Sequence, residues 1–184
     1  GIVKLSRSGE DVTSVEGAIF ELYTAEDVTD IYGNVIIPAD TFIQRATSDK
    51  TGRVRFNDFD LPDGKYKAVE VKAPSGHYPS KEEYIFDTSA RNTDDEVQIQ
   101  RQSYEVENYK SVTKLYLYDD LTGVELAGAT LRILNSANEV VETINTTNTH
   151  GDGMIVYGLE PGETYTLEEV VPRYGYTNKI NISG

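Results

Sequence analysis

The sequence predicts an all-β chain folded as two tandem antiparallel β-sandwich domains, the second lacking its last strand. Three observations lead there. Short runs alternating apolar and polar residues recur along the 184 residues, the period of a half-buried strand. Glycine-bearing turn sequences separate those runs. The block Gly64–Tyr78 recurs as Gly162–Tyr176, and repetition on that scale marks repeated domains.

In the first unit, residues 1–109, the alternation predicts strands over Ile2–Arg7, Ala18–Tyr23, Thr41–Ala46, Arg53–Phe56, Lys65–Lys72, Glu83–Asp87, Val97–Gln100 and Tyr104–Tyr109. Turns are expected at Tyr32-Gly33-Asn34, Lys50-Thr51-Gly52, Pro62-Asp63-Gly64 and Pro74-Ser75-Gly76. The second unit, 110–184, repeats the plan over Thr113–Tyr118, Ala129–Leu134, Val140–Ile144, Met154–Tyr157, Thr164–Val171 and Asn178–Ile182. It offers no counterpart of Tyr104–Asn108, so an unpaired sheet edge is expected there. The chain reads as a piece of a longer protein, with any export signal or anchor lying outside it.

Composition narrows the function classes. With 31 acidic and 17 basic residues the net charge is −14, which argues against nucleic acid and anionic membranes as partners. Cysteine is absent, which removes disulfides, zinc knuckles and thiol nucleophiles. No run approaches the roughly eighteen apolar residues of a membrane span. Asp27, Asp30 and Asn34 fall together in the long Tyr23–Thr41 segment, but not at the spacing of a calcium loop, and they read as turn residues. No metal and no cofactor is expected.

Two glutamates need explaining. Glu70 follows Tyr66 and Ala68 on one strand face, and Glu169 follows Tyr165 and Leu167. A carboxylate among apolar neighbours costs stability unless something beside it requires it. A surface glutamate with a partner is the alternative.

The larger pattern resembles a known family. Lys4-Leu5-Ser6 matches Lys114-Leu115-Tyr116, and Gly17-Ala18 matches Gly128-Ala129. The run Gly-x-Tyr-x-x-x-Glu-x-x-x-Pro-x-Gly-x-Tyr follows, then a closing strand ending in Asn108. Together these resemble the collagen-adhesin B-type domains, or SpaA-type pilin domains, of Gram-positive surface proteins. The resemblance implies an immunoglobulin-like or prealbumin-like sandwich, secretion, and attachment to the cell wall. It also implies a spontaneous isopeptide bond between Lys4 and Asn108, assisted by Glu70. In the second unit it implies Lys114 as a candidate lysine left unlinked and Glu169 as the equivalent acid, with the partner strand absent. A basic residue often follows three places after the reactive lysine, and Arg7 fits where Leu117 does not.

The chemistry is coherent in its own terms. Amide formation needs a neutral amine, a polarised carboxamide and a proton route. Burial disfavours an ammonium and favours a neutral, proton-donating carboxyl. The reaction turns over once, so no enzyme is expected. Lys4 is ambiguous by period, since Val3 and Leu5 look more core-like than Lys4 itself.

The leading function is therefore a structural stalk or shaft module of a surface adhesin or pilin, with neighbouring domains of the same protein or pilus as partners. The alternative is a ligand-binding module that engages a host or cell-surface partner through the 24–46 segment. A hydrolase built on Glu82–Glu83 or Asp94–Asp95 is disfavoured, because adjacent strand residues face opposite ways. His77 and His150 both lie beside glycine with no nucleophile in view.

Overall fold

The computed structural model describes residues 2–57, 61–88 and 103–177, and the chain divides into two compact units, Gly1–Lys110 and Ser111–Gly184. Among the described residues every regular element is a strand, and no helix is long and apolar enough to cross a membrane. The expected strands Val97–Gln100 and Asn178–Ile182, and the pair Asp94–Asp95, lie outside the described residues.

The first unit contains β1 (Ile2–Ser8), β2 (Asp11–Ser14), β3 (Ile19–Thr24), β4 (Val28–Thr29), β5 (Val35–Ile37), β6 (Phe42–Thr47), β7 (Arg53–Val54), β8 (Lys65–Lys72), β9 (Glu83–Asp87) and β10 (Tyr104–Tyr109). One sheet runs β10-β1-β2, with β7 also on β1, and the other runs β6-β3-β8-β9. Ile2, Phe20, Leu22, Val54, Tyr66, Ala68 and Val106 form the core, each supplied by the alternate positions of its strand. The long Tyr23–Thr41 segment is more than a connection. It forms the β4–β5 hairpin, and Val28 is buried in the core.

Among the described residues, sheet pairs are antiparallel with one exception: β1 and β10 run parallel, in register from Ile2 opposite Tyr104 to Arg7 opposite Tyr109. No hairpin joins the first and last strands of the unit, so nothing forces them to oppose each other. Along its other edge β1 changes partner, with Ile2 and Val3 on β7 and Leu5–Ser8 on β2. Lys4 sits at the changeover, where its N–H donates to Gly52 O at 2.6 Å and its carbonyl accepts from Val15 N. Gly52 has φ +75°, and a Cβ there would lie 2.2 Å from Lys4 O. Only glycine satisfies both the turn and that approach.

The second unit contains β11 (Val112–Leu115), β12 (Thr130–Leu134), β13 (Val140–Asn145), β14 (Met154–Tyr157) and β15 (Thr166–Val171). They pair as β11-β14 and β13-β12-β15, over buried Leu126, Ala129, Leu131, Ile133 and Val156.

The repeated Gly-Ala acquires a physical meaning. Ala18 N donates to Ser48 Oγ and Ser48 N to Ala18 O, while Gly17 N donates to Ser48 O. Ala129, Thr146 and Gly128 reproduce all three bonds in the second unit. A buried hydroxyl thus satisfies the buried N–H entering the second core strand, and glycine at φ +90° or +89° makes the bend.

Candidate functional site

Lys4 projects into the core of the first unit. Burial alternates along β1 so that Ile2, Lys4 and Ser6 face inward, and Lys4 is 0% exposed. Val3 and Leu5 are half-buried on the other face, so the apolar neighbours that made the period ambiguous flank the interior position without occupying it. Val106 and Asn108 point inward from β10, and Asn108 is 2% exposed. Glu70 enters from β8 in the opposite sheet, on the face of Tyr66 and Ala68, with its side chain wholly buried.

The three residues meet. Lys4 Nζ lies 3.3 Å from Glu70 Oε1 and donates to Val106 O at 3.1 Å. It also sits 6.0 Å from the Phe20 ring centroid. Asn108 Nδ2 donates to Glu70 Oε2 at 2.9 Å and to Tyr78 O at 2.7 Å. A backbone carbonyl only accepts, so Tyr78 identifies which carboxamide atom is the nitrogen. Ser80 N donates to Glu70 Oε2 at 3.0 Å. The loop after β8 therefore covers the site and holds both the acid and the amide.

Burial pushes the Lys4 amine below the ordinary lysine range, and the nearby Glu70 carboxylate opposes part of that shift. Among the described residues, the buried side-chain polar atoms without a hydrogen-bond partner are Glu70 Oε1 and Asn108 Oδ1. Buried polar atoms are nearly always satisfied; Glu70 Oε1 still faces the Lys4 amine at 3.3 Å, whereas Asn108 Oδ1 is left without a donor and calls for a chemical reason.

Arg7, the basic residue three places after Lys4, is on the opposite face. Its guanidinium forks onto Glu107 at 2.6 and 2.9 Å and pins β1 to β10 from outside. This pairing lowers the Glu107 carboxyl and raises Arg7. His77 does have a hydroxyl partner, contrary to the sequence reading: Ser6 Oγ lies 2.6 Å from its Nε2, and both residues are buried. The two are 71 residues apart in sequence, so no local signal exposes the pair.

The second unit places its residues differently. Lys114 is exposed on β11, opposite Ile155, whereas Ser111, Thr113 and Leu115 are the more buried positions. Glu169 is half-buried beside Leu167, as the alternation predicts. Among the described residues no hydrogen bond or ion pair joins Lys114 to Glu169, and β11 pairs with β14 alone. Of the other acids, Asp30 caps its own turn through Tyr32 N and Asn34 N, and Asp27 accepts from Ala39 N.

No curated protein matches the sequence. The chain is similar in structure to the Bacillus anthracis TIE protein, with 22% identity, a TM-score of 0.48, and coverage of 93% of this chain and 28% of that one. It is also similar to the pilus adhesin SpaC of Lactobacillus rhamnosus GG, with 18% identity, a TM-score of 0.46, and coverage of 97% and 25%. A third is the major pilin subunit BcpA of Bacillus cereus, with 24% identity, a TM-score of 0.36, and coverage of 61% and 28%. The chain thus spans about a quarter of the length of each of these solved proteins. The sequence profile of the SpaA prealbumin-like fold domain matches residues 1–103 and 112–183, and the chain belongs to that family.

Proposed function

We propose that this chain is a pair of shaft modules from a Gram-positive pilus or surface adhesin, displayed at the cell wall. Its first module locks itself by an amide bond between Lys4 and Asn108. One observation carries the reading: Glu70 presents one oxygen to the amine, Oε1 at 3.3 Å, and the other to the departing nitrogen, Oε2 at 2.9 Å. A single carboxyl so placed can move a proton from nucleophile to leaving group.

The steps balance without any redox partner. One proton passes from Lys4 to Glu70, turning the ion pair into amine and carboxylic acid, which the depressed lysine pKa favours. The Nζ lone pair attacks Asn108 Cγ, and the carbonyl π pair moves onto Oδ1. As the oxyanion collapses, the Cγ–Nδ2 bond breaks, Nδ2 takes the proton carried by Glu70 and leaves as ammonia, and Nζ gives its second proton to the Glu70 carboxylate so that a neutral amide and a neutral carboxylic acid remain. Holding amine and carboxamide on adjacent strands replaces a bimolecular encounter, worth roughly 7–11 kcal/mol in the best intramolecular cases.

The fold gives the bond a mechanical use. Because β1 and β10 are parallel, pulling the start of one against the end of the other shears the pair along its length. A covalent rung between Lys4 and Asn108 would carry that load and spare the strands between them. Intact-mass measurement of purified protein tests the reading. Wild type should lack the mass of one ammonia, while Lys4→Ala and Glu70→Ala should show their full calculated masses. A full-mass wild type contradicts it.

A second reading rests on the β4–β5 hairpin tip, where Ile31 is 91% and Tyr32 83% exposed. The Asp30 carboxylate ties the turn rigidly, so the tip presents these side chains in a fixed orientation. As a ligand contact it predicts that Ile31→Ser/Tyr32→Ser abolishes adhesion to host or bacterial surfaces and leaves the amide bond intact. Unchanged adhesion would remove this reading.

A further inference from the structure

The reaction above leaves one group without a stabiliser. Negative charge develops on Asn108 Oδ1, and that oxygen is buried with no hydrogen-bond donor. Both N–H bonds of the same carboxamide are held, by Glu70 and Tyr78, so the amide cannot turn to find one. Oxyanions in sites closed to water need a donor placed in advance.

Ser6 is in position to supply it. It is the register partner of Asn108 across the parallel β1–β10 pair, and both side chains are buried on the interior face. Neighbouring strands lie about 4.8 Å apart, so the two side chains are neighbours on one face, and rotation about the serine Cα–Cβ bond re-aims its hydroxyl. In the resting arrangement that hydroxyl is held by His77. Nδ1 of the ring lies 2.7 Å from Ser75 O, a pure acceptor, so Nδ1 carries the proton. With Nδ1 as the donor, Nε2 is the accepting nitrogen, and Ser6 Oγ donates to it at 2.6 Å.

We propose that Ser6 is the oxyanion donor of the closing reaction, swinging from His77 Nε2 to Asn108 Oδ1 as charge appears there. This inference rests on the crosslinking reading. Its logic is differential binding. The serine gives up a neutral hydrogen bond for a charge-assisted one that exists only when Oδ1 is negative, so the gain falls on the transition state. No proton leaves Ser6. His77 is a competing acceptor that holds the hydroxyl until charge appears on the amide oxygen.

The test follows closure of the full chain made by cell-free translation, with samples quenched in acid and the fraction lacking one ammonia read by intact mass. Ser6→Thr keeps the hydroxyl and should close at about the wild-type rate. Ser6→Val has the same shape without it and should close roughly ten- to a hundredfold more slowly while showing native circular dichroism. His77→Phe removes the competing acceptor and should close at least as fast as wild type. If the Ser6–His77 bond is only a packing feature, Ser6→Val and His77→Phe should slow closure alike, and that result overturns the proposal. Should Ser6→Val fail to fold, His77→Phe decides alone, since any slowing contradicts the donor role. A wild type that closes while Ser6→Val keeps pace overturns only the donor assignment. A wild type that never loses ammonia overturns the crosslink itself and this inference with it.

Discussion

The two units share a frame and differ in what they do with their lysine. Both bend into the second core strand through a Gly-Ala pair locked by a buried hydroxyl, Ser48 in one and Thr146 in the other. Both carry an acid four residues after a tyrosine, Glu70 on β8 and Glu169 on β15, each strand the sheet neighbour of the one that Gly-Ala opens. Yet Lys4 is wholly buried and Lys114 is exposed. The sheet around each lysine accounts for the difference. β1 is flanked by β10, β2 and β7, and β11 by β14 alone among the described residues. An inward lysine needs a lid, a carboxylate and a carbonyl to accept it. Among the described residues only the first unit brings these together, with Glu70 from β8 and the closing strand supplying Val106 O and Asn108.

The largest expected break in the comparison comes from Glu70→Ala. Without the acid the first module should not close, and a loop of about a hundred residues loses its cross-link, worth about 4.7 kcal/mol in the chain-entropy account. Thermal denaturation should show a much lower melting transition. The same change at Glu169 should leave the loss of one ammonia in place. Next in size is Gly52→Ala, which forces a side chain into the Lys4 carbonyl at positive φ. It should cost more than about 2 kcal/mol by denaturant titration.

Ser48→Ala and Thr146→Ala test the shared frame. Each leaves a buried alanine N–H without its acceptor and should cost about 1–3 kcal/mol in its own unit. Similar losses would support the equivalence of the two bends, and a large loss in only one would end it. Smallest is Arg7→Ala, since the Arg7–Glu107 pair is partly exposed, and high salt should erase its effect on the melting temperature.

A pH series sharpens the contrast further. In Asn108→Ala, which cannot close, Lys4 remains titratable with its folded-state pKa below the ordinary lysine value. Between those two values the unfolded chain binds the extra proton, so stability should rise with pH across that window. Lys114→Ala, an exposed site, should leave that profile unchanged.

Much of this was legible in the sequence for identifiable reasons. The strand Lys65–Lys72 and the inward face of Tyr66, Ala68 and Glu70 follow from alternation alone, and so does Asn108 beside Val106. Lys4 was ambiguous because β1 is apolar on both faces, with Val3 and Leu5 half-buried outside the core. Alternation then loses its contrast, and only the partner strands decide the face. The parallel pairing of β1 with β10 and the Ser6–His77 bond join residues far apart in the chain, where period and turn chemistry say nothing. The β4–β5 hairpin hid behind polar turn residues, since a strand of two residues shows no period. Lys114 matched Lys4 in motif and not in face, because motif spacing does not record which neighbours close the sheet.

The most direct test of the central proposal is tandem mass spectrometry of a protease digest of the wild-type chain. A branched peptide joining Lys4 to Asn108, one ammonia lighter than its two parts, is the predicted result, with Lys114 recovered in a linear peptide. Linear peptides at full mass for both Lys4 and Asn108 would contradict it.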